Sequence, residues 1–512
     1  MAQRPRQDLW LLTGPDGRRG ALPAEGGTSG TPAGVPRGTT AAGTLPGLYP
    51  EWLGSVSFCH RHRVRFPYVA GEMANGISTT ALVIAMARAN MLAFFGAAGL
   101  GVDRIGRAVE EMRGELGPDR AWGVNLIHQP QNPRGEEQLA DLLISMRVPH
   151  MSAAAFMELT PAVVRCAAAG LRELPDGQVV RPRSIFAKVS RTEVARRFLS
   201  PAPEPMLRHL ADRGLISSEE HRLAGRVAVA DNVTVEADSG GHTDSQSLVA
   251  VLPHLLSLRT ELARRHRLIT APHMGAAGGL GTPQGVAAAF VLGADYVLTG
   301  SINQISVEAG ISDAAKDMLA AADIADVIRA PASDMFEIGA KVQVLGRNSM
   351  FGVRATRLYW LYEAYPSIEA LPDEDLAWLE QDVLRTSTQQ VWQACLEYWA
   401  ARDPDQVDRA ADDPHHRMAL VFRWYLGQAS RWAINGTADR QVDYQLWCGP
   451  ALGAFNRWTA GSFLAVPAHR TVVQIARNLM EGAAVVTRTR QLHDLGLPVS
   501  SSDVVFTPRP LL

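Results

Sequence analysis

The feature that most constrains the fold of this chain is a regular alternation of short apolar runs with helix-like segments. Eight runs typical of strands occur at 64–70, 91–98, 122–127, 148–155, 185–190, 232–237, 267–272 and 296–301. Amphipathic segments such as 103–116, 135–146 and 283–293 lie between them. Continuous apolar strands that alternate with helices indicate a parallel sheet covered by helices on both faces.

Eight strand–helix units in about 240 residues predict an α/β fold of the (β/α)8 TIM-barrel type, which typically needs about 250 residues. The rival fold is an open, doubly wound sheet. Its dinucleotide-binding form is disfavoured, because neither glycine-rich segment completes the G-x-G-x-x-G pattern. Arg104 occupies the last position of that pattern in one segment, and Gln284 occupies it in the other.

The amino-acid composition is different in the part of the chain that precedes the barrel pattern. Residues 1–48 are rich in Gly, Pro, Thr and Ala, most clearly over 13–47, and contain few large apolar groups. Such a segment buries too little surface to offset the entropy lost on ordering. We therefore predict a disordered leader at 1–48 and the barrel at 49–355.

The composition and the hydrophobic pattern change again after residue 355. Eight of the eleven tryptophans lie there, in long helical patterns at 373–401 and 415–434. These patterns predict a helical subdomain at 356–440, and ordinary helix packing explains its tryptophans. Residues 441–512 are expected to return to the barrel.

Composition limits the location and partners of the protein. A net charge of −2 with dispersed Lys and Arg residues predicts no nucleic-acid partner. The four cysteines form no CxxC or Cys/His spacing, which fits a reducing cytoplasm and predicts no metal site. The first residues lack the apolar core of a signal peptide. The stretch 81–102 is interrupted by Arg88 and Asn90, so a buried helix and strand explain it better than a membrane span.

Candidate functional residues follow the predicted strands. In a TIM barrel the loops at the carboxyl ends of the strands converge on one mouth. The candidate residues at these ends are, in chain order, Gly71, Glu72, Met73, Asn125, Lys188, Gly240, Gly241, His242, Gly278, Gly279, Gly300 and Ser301.

The last two turns are the most informative. Barrels commonly bind a phosphate at the loops after strands seven and eight. The glycines at 278–279 and 300 let backbone N–H groups approach a phosphate, and Ser301 adds a hydroxyl donor. The chain shows no G-x-S-x-G, H-E-x-x-H or P-loop motif. The difficult chemistry is therefore expected from a cofactor with a phosphate and a flat ring, such as FMN.

These segments resemble a known family. "PYVAGEMANG", "GVNLI", "EADSGGHTD", "GAAGGLGTP" and "LTGS" occur in the order found in the nitronate monooxygenase-like flavoproteins, which include flavin-dependent enoyl-acyl-carrier-protein reductases. "AKVSR", "MFEIGAKVQVLGRNSMFGVRATRLYWLY" and "CGPALGAFNRW" are similar to the trans-acting enoyl reductases of polyketide and polyunsaturated fatty acid synthases, the PfaD type. The resemblance covers about residues 50–490 and implies an FMN-binding barrel with a helical insertion.

The resemblance also implies roles for individual residues. The FMN would be held by Gly71, Glu72, Met73, Asn125, Lys188, Gly278, Gly279, Gly300 and Ser301. Gly240 and Gly241 would let the sixth strand pass close to the flavin, and His242 would be the active-site histidine. Its alternative is a histidine satisfied by the loop at 243–245. The segment 449–456 is expected to close the barrel against the cofactor.

The implied reaction is the reduction of the 2,3-double bond of an enoyl thioester on an acyl carrier protein. FMN would be the cofactor, NADPH the reductant with NADH left open, and a polyketide or fatty acid synthase complex the partner. His242 would donate a proton to the α-carbon or polarise the thioester carbonyl. One alternative is a nitronate monooxygenase-like flavin oxidase, and another is a docking subunit of a synthase complex. A homo-oligomer is also left open.

Overall fold

The computed structural model of the protein describes residues 3–24, 38–130, 132–241, 243–400, 402–500 and 504–512. None of the helices in these ranges is long and apolar enough to cross a membrane. The elements are given in chain order, beginning with a small sheet that precedes the barrel.

A three-stranded antiparallel sheet of order β2-β1-β3 occupies the start of the chain. Its strands are β1 Leu9–Thr13, β2 Arg19–Pro23 and β3 Thr40–Leu45. This sheet corrects the prediction of a disordered leader for the residues that are described there. Residues 1–2 and 25–37 of the predicted leader lie outside the described residues.

The sheet is ordered because it docks on the last helix of the chain. The fully buried Arg488 of that helix donates hydrogen bonds of 2.7–3.0 Å to the carbonyl oxygens of Pro5, Gln7 and Pro46. Leu9 is buried in the same small cluster as Leu492. A segment with little apolar surface of its own thus obtains burial from a distant part of the sequence.

The barrel strands and one hairpin come next. Their bounds are β4 Tyr68–Ala70, β5 Leu92–Phe95, β6 Gly123–Ile127, β7 His150–Ala154, β8 Arg172–Glu173, β9 Val179–Val180, β10 Ser184–Val189, β11 Asn232–Glu236, β12 His273–Ala277 and β13 Tyr296–Thr299. Strands β8 and β9 form the hairpin. The other eight close a parallel barrel of order β10-β11-β12-β13-β4-β5-β6-β7, which confirms the predicted TIM barrel.

The seventh barrel strand, β12, begins later than predicted. Residues 267–272 form a turn and loop in which Arg267 adopts φ 52° and Ile269 is 70% exposed. Pro272 has no N–H to give to a strand ladder. The strand follows at His273–Ala277, where all five residues are buried.

Helices surround the barrel and connect its strands. They are α1 Val56–His62, α2 Thr80–Arg88, α3 Val102–Leu116, α4 Pro133–Ser145, α5 Pro161–Ala168, α6 Thr192–Phe198, α7 Glu204–Asp212, α8 Ser218–Ala224, α9 Leu248–Arg265, α10 Pro283–Val291 and α11 Asp313–Ala320. The pairs Asn132-Pro133, Thr160-Pro161 and Thr282-Pro283 show why several begin where they do. The cap side chain accepts a backbone N–H, and the proline occupies a position where no donor is needed.

The helical unit follows an antiparallel hairpin of β14 Val327–Pro331 and β15 Lys341–Leu345. Its helices are α12 Phe351–Ala364, α13 Asp373–Trp378, α14 Thr388–Ala400, α15 Pro404–Asp412 and α16 Pro414–Asn435. The predicted long pattern at 373–401 is broken by a π-helical turn at 379–384 and by Arg385, which adopts φ 56°. The chain then returns to the barrel as α17 Ala451–Thr459 and α18 Val472–Asp494, and α18 packs on α10 and α2.

Candidate active site

A cavity of about 850 Å³ lies between the carboxyl ends of the barrel strands and the helical unit. Its volume falls in the range of about 300–1,000 Å³ that is typical of small-molecule and cofactor sites. Ten of the predicted site residues line it: Glu72, Met73, Asn125, Lys188, Gly240, Gly241, Gly278, Gly279, Gly300 and Ser301. Another cavity of about 600 Å³ lies beside His273 and Asp295 at the opposite end of the barrel, and none of the predicted site residues lines it.

Lys188 of β10 is held in the cavity wall between two carboxylates. Its Nζ atom lies 2.8 Å from Oε1 of Glu236 and 3.2 Å from Oε1 of Glu72. Burial alone would lower the pKa of Lys188, but the two carboxylates outweigh it and hold that pKa above its ordinary value. An ammonium group has three donors, and two of them are used by these carboxylates. The wall therefore holds an ammonium group between two carboxylates, with one further N–H donor.

Two buried polar atoms of the cavity lining have no hydrogen-bond partner among the described residues. One is Oε2 of Glu72, whose Oε1 accepts from Ser152 Oγ at 2.9 Å, and the other is Oγ of Ser239. Buried polar atoms are normally paired, and each exception indicates a ligand, a water or strain. Their position in the cavity wall favours a polar ligand there.

The two glycine turns both leave open space at the cavity. Gly278 and Gly279 adopt φ values of 90° and 73°, which favour glycine, and a Cβ on Gly279 would meet no atom within 4 Å. A Cβ on Gly300 would likewise meet open space. Ser301 Oγ accepts from the backbone N–H of Gly449 at 3.1 Å, which leaves its own O–H free to donate to a ligand.

Gly240 has a structural role in addition to the predicted one, which stays a prediction. A Cβ there would lie 2.9 Å from Cα of Cys448, so the glycine makes room for the returning C-terminal segment. A Cβ on Gly241 would make an ordinary contact, 3.6 Å from Oε1 of Glu236. Gly71 is buried behind the cavity wall, where a Cβ would lie 2.5 Å from Cδ2 of Leu298.

His242, the predicted catalytic residue, lies outside the described residues. The loop after it is described. Thr243 Oγ1 donates to the carbonyl oxygen of Ala237 at 2.9 Å, and the Asp244 carboxylate accepts from Ser190 and Arg191. The hydrogen bond from Arg191 is the main cause that lowers the pKa of Asp244. Both roles considered for His242 stay predictions.

Sequence reasoning missed the roof of the cavity. Tyr398 and Trp399 of α14 and Trp424 of α16 line it, together with Arg402 and Arg431. The clustering of tryptophans after residue 355 was the available signal, but helix packing explained it equally well. These rings belong to the site because α14 and α16, which carry them, cover the barrel mouth.

The segment 449–456, expected to close the barrel, lies at the cavity edge. Gly449 and Ala451 line the cavity, and Ala451 contacts the turn after β12 so closely that a Cβ on Gly281 would lie 1.9 Å from its carbonyl oxygen. Asn456 Nδ2 donates to the carbonyl oxygens of Leu319 and Ala322 at 2.9 Å. These contacts fix α17 beside the mouth.

Known proteins share both parts of this architecture. Residues 365–444 match the family described as acyl-carrier-protein S-malonyltransferase, inserted helical domain. Polyketide biosynthesis protein PksE of Bacillus subtilis is 42% identical over 444 residues, which are 87% of this chain and 58% of PksE. A polyunsaturated fatty acid synthase protein of a Thraustochytrium species is 41% identical over 466 residues, which are 90% of this chain and 31% of that protein. The chain thus spans little more than half of PksE, and less of the synthase protein.

The fold and the site together define a class of protein, in which an inserted helical unit covers the ligand cavity of a TIM barrel. The crystal structure of the enoyl reductase domain of MlnA, from the macrolactin biosynthesis cluster of Bacillus amyloliquefaciens, superposes with a TM-score of 0.83. It is 34% identical and covers 87% of this chain and 99% of that domain. The chain belongs to the enoyl reductase family of polyketide and polyunsaturated fatty acid synthases, which confirms the resemblance seen in the sequence.

Proposed function

We propose that the protein reduces the 2,3-double bond of an enoyl thioester carried by an acyl carrier protein, acting in trans within polyketide or polyunsaturated fatty acid biosynthesis. The cofactor is FMN and the reductant is NADPH, with NADH as the alternative. One observation carries the proposal. Lys188, the turns at 278–279 and 300–301, and the two polar atoms without a hydrogen-bond partner among the described residues all line one cavity. Family membership supports it.

The residues of the cavity fit FMN. The open space beside Gly279 and Gly300 leaves room for a phosphate against the backbone, and Ser301 has a hydroxyl donor for it. The ammonium of Lys188 offers a donor to the polar edge of a flavin ring. The chain carries no complete dinucleotide fingerprint for the adenylate half of FAD. FMN is therefore the expected flavin.

When bound, FMN supplies hydride chemistry between NADPH and the β-carbon of the enoyl group. The overall reaction consumes one enoyl thioester, one NADPH and one proton, and yields the saturated thioester and NADP⁺. Negative charge develops on the thioester oxygen as the double bond is reduced, so donors at that oxygen speed the step. His242 would supply this donor or the proton for the α-carbon.

Lys188 has a positioning part in this proposal. Its ammonium is held by Glu72 and Glu236, so it cannot rotate away from the cavity wall without leaving two buried carboxylates unpaired. The remaining N–H of the ammonium is therefore preorganised, which favours a hydrogen-bond acceptor of the flavin ring at this wall.

The helical unit supports a carrier-borne substrate. It matches the inserted helical domain of a transferase that is named for the acyl carrier protein, and PksE is named for polyketide biosynthesis. Cys59, Cys166, Cys395 and Cys448 are free and buried, which agrees with a cytoplasmic location as part of this proposal.

The decisive experiment measures the acyl chain itself. A carrier protein loaded with a short enoyl thioester is incubated anaerobically with NADPH and the purified protein, and the carrier is analysed by mass spectrometry. We expect a gain of two hydrogen atoms that requires both NADPH and the flavin-loaded protein, and heat release should yield FMN as the main flavin.

Three other results would contradict the proposal. An unchanged acyl chain with oxygen consumption on a nitroalkane would indicate the flavin oxidase. A colourless protein that releases no flavin on denaturation would indicate the docking subunit. FAD as the main released species would contradict the cofactor assignment.

A further inference from the structure

Two arginines of the cavity roof lie against the same aromatic ring. The guanidinium carbon of Arg402, just after α14, lies 4.1 Å from the centroid of Tyr398, and that of Arg431 in α16 lies 5.9 Å from it. All three residues line the cavity and are exposed. Two positive groups, one just after α14 and one in α16, thus flank one ring of the cavity lining.

The other stacked arginines of the helical unit have acidic partners. Arg357, over Trp378, pairs with Asp375 at 2.7 Å, and Arg440, over Trp432, pairs with Asp443 at 3.3 Å. The arginines over Trp392 and Trp399 pair with glutamates, Arg417 with Glu369 and Arg423 with Glu337. Arg402 and Arg431 pair with no carboxylate within the ranges that the structure describes.

This difference indicates an anion. Two like charges near one ring repel each other, and a bound anion would relieve that repulsion. Two acidic residues, Asp334 and Asp403, also line the cavity. The Asp403 carboxylate accepts a hydrogen bond from Gln406 Nε2 at 3.0 Å. The planar N–H fork of arginine matches the oxygens of a phosphate.

We propose that Arg402 and Arg431 form a binding site for the phosphate group of a ligand whose reactive end lies near Lys188. This inference deepens the proposed function and rests on it for the identity of the ligand. Two ligands carry such a phosphate: the phosphopantetheine arm of a carrier protein, and the 2′-phosphate of NADPH. The site is separate from the glycine turns proposed for the FMN phosphate, which lie on the barrel.

The test compares ligands that differ in the phosphate alone. Binding of butyryl-4′-phosphopantetheine and butyryl-pantetheine to the flavin-loaded protein is measured by calorimetry, and binding of NADPH and NADH is measured in parallel. The proteins are wild type, Arg402→Ala, Arg431→Ala and the double variant. Arg417→Ala is the matched control, because Arg417 also stacks on a ring but does not line the cavity.

We expect wild type to prefer the phosphorylated member of one pair by roughly 10-fold or more, because hydrogen bonds between a guanidinium and a phosphate are among the strongest in proteins. The double variant should lose this preference while the Kd of the unphosphorylated member stays constant, and Arg417→Ala should keep it. Loss of the preference in the pantetheine pair identifies the carrier arm as the source. Loss of it in the dinucleotide pair identifies NADPH.

Equal preferences in wild type and the double variant would overturn the site. So would a double variant that weakens both members of a pair equally or that loses its FMN, because the arginines would then act on the fold or on the flavin. Reduction of enoyl-pantetheine is measured separately. Absence of any reduction with an arginine-dependent phosphate preference would refute the proposed function and leave the phosphate site standing.

Discussion

At the amino ends of the barrel strands the ring of Phe58 stacks on Tyr296 with centroids 4.5 Å apart, whereas the carboxyl ends open into the cavity of about 850 Å³. Helix α1 places Phe58 and His62 against the first residues of β7, β11 and β12. His62 Nε2 lies 3.0 Å from Oδ1 of Asn232, and its Nδ1 lies 3.2 Å from Nε2 of His150. One end is filled with rings, and the other end keeps space for a ligand.

Glycines show the same contrast. At the amino end a Cβ on Gly123 would lie 2.4 Å from Phe94, and one on Gly275 would lie 2.3 Å from Tyr296. At the carboxyl end Gly279 and Gly300 face open space. Glycine therefore admits aromatic packing at one end and leaves backbone accessible to a ligand at the other. The residue type is identical, and its surroundings decide its use.

The substitution that should affect the carboxyl end most is Gly279→Val. A side chain there would occupy the space proposed for the phosphate, so we expect FMN retention to be abolished while the fold persists. The ratio of flavin to protein absorbance after gel filtration measures this, and circular dichroism reports on the fold.

Two controls separate occupied space from backbone strain. Gly214 has φ 65° and open surroundings away from the cavity, so Gly214→Val should be strained but retain FMN. Gly300 has φ −122°, so Gly300→Val fills the cavity without a left-handed residue and should lose flavin as well. A full complement of FMN in Gly279→Val would contradict the phosphate assignment.

His242→Ala should affect reduction of the enoyl thioester and leave reduction of the flavin by NADPH unchanged. We expect reduction of the enoyl thioester to slow by about 10²–10⁴-fold, the usual contribution of general acid–base catalysis. Bleaching of the flavin by NADPH should stay near the wild-type rate, because it needs no proton from the protein. Stopped-flow absorbance at equal flavin content measures both.

His254→Ala is the control for this variant, since His254 of α9 contacts Thr192 and does not line the cavity. Equal slowing of both half-reactions would mean that His242 positions the ring. Wild-type rates in both would mean that the histidine is satisfied by its own loop.

A substitution at the amino ends of the barrel strands should lower the stability of the protein and leave flavin binding unchanged. Phe58 is fully buried, and Phe58→Ala should lower the free energy of unfolding by about 3–5 kcal/mol through lost burial and a cavity. Urea unfolding measures the change, and flavin content should equal that of wild type. Phe463→Ala, at a partly buried ring stacked on His469, should cost less. Loss of FMN in Phe58→Ala would show that the two ends are coupled.

The smallest expected effect is a pH dependence of the amino end. Burial lowers the pKa of His62, His150 and His273 below the ordinary value. The unfolded chain binds protons at these groups near pH 6.5 while the folded chain does not, so stability is full above that pH and falls below it. Each such histidine that stays neutral in the folded chain lowers the free energy of unfolding as the pH falls below its unfolded pKa. Urea unfolding of wild type and His150→Gln at pH 7.5 and 5.5 checks this, and equal pH dependence in both would contradict it.

Much of the site could be predicted, because chemistry at a barrel mouth depends on strand order. The order of strand ends along the chain was enough to group Glu72, Lys188 and Gly279. The packing of Gly240 against Cys448 could not be predicted, because the two residues lie more than two hundred positions apart in the chain. The seventh strand was predicted too early in the chain. The apolar residues at 268–269 suggested a strand, although Arg267 lies in a turn and residue 272 is a proline.

By itself the sequence determined the barrel, the position of the cavity and the family, since local alternation of strands and helices and short ordered motifs are properties of neighbouring residues. The tertiary structure alone decided what covers that cavity and what orders the first strands. Arg402 and Arg431 meet at Tyr398 because two helices cross over the mouth, and β1 is ordered because α18 offers Arg488 to its flanking carbonyls. Such contacts join segments far apart in the chain, and no local pattern records them.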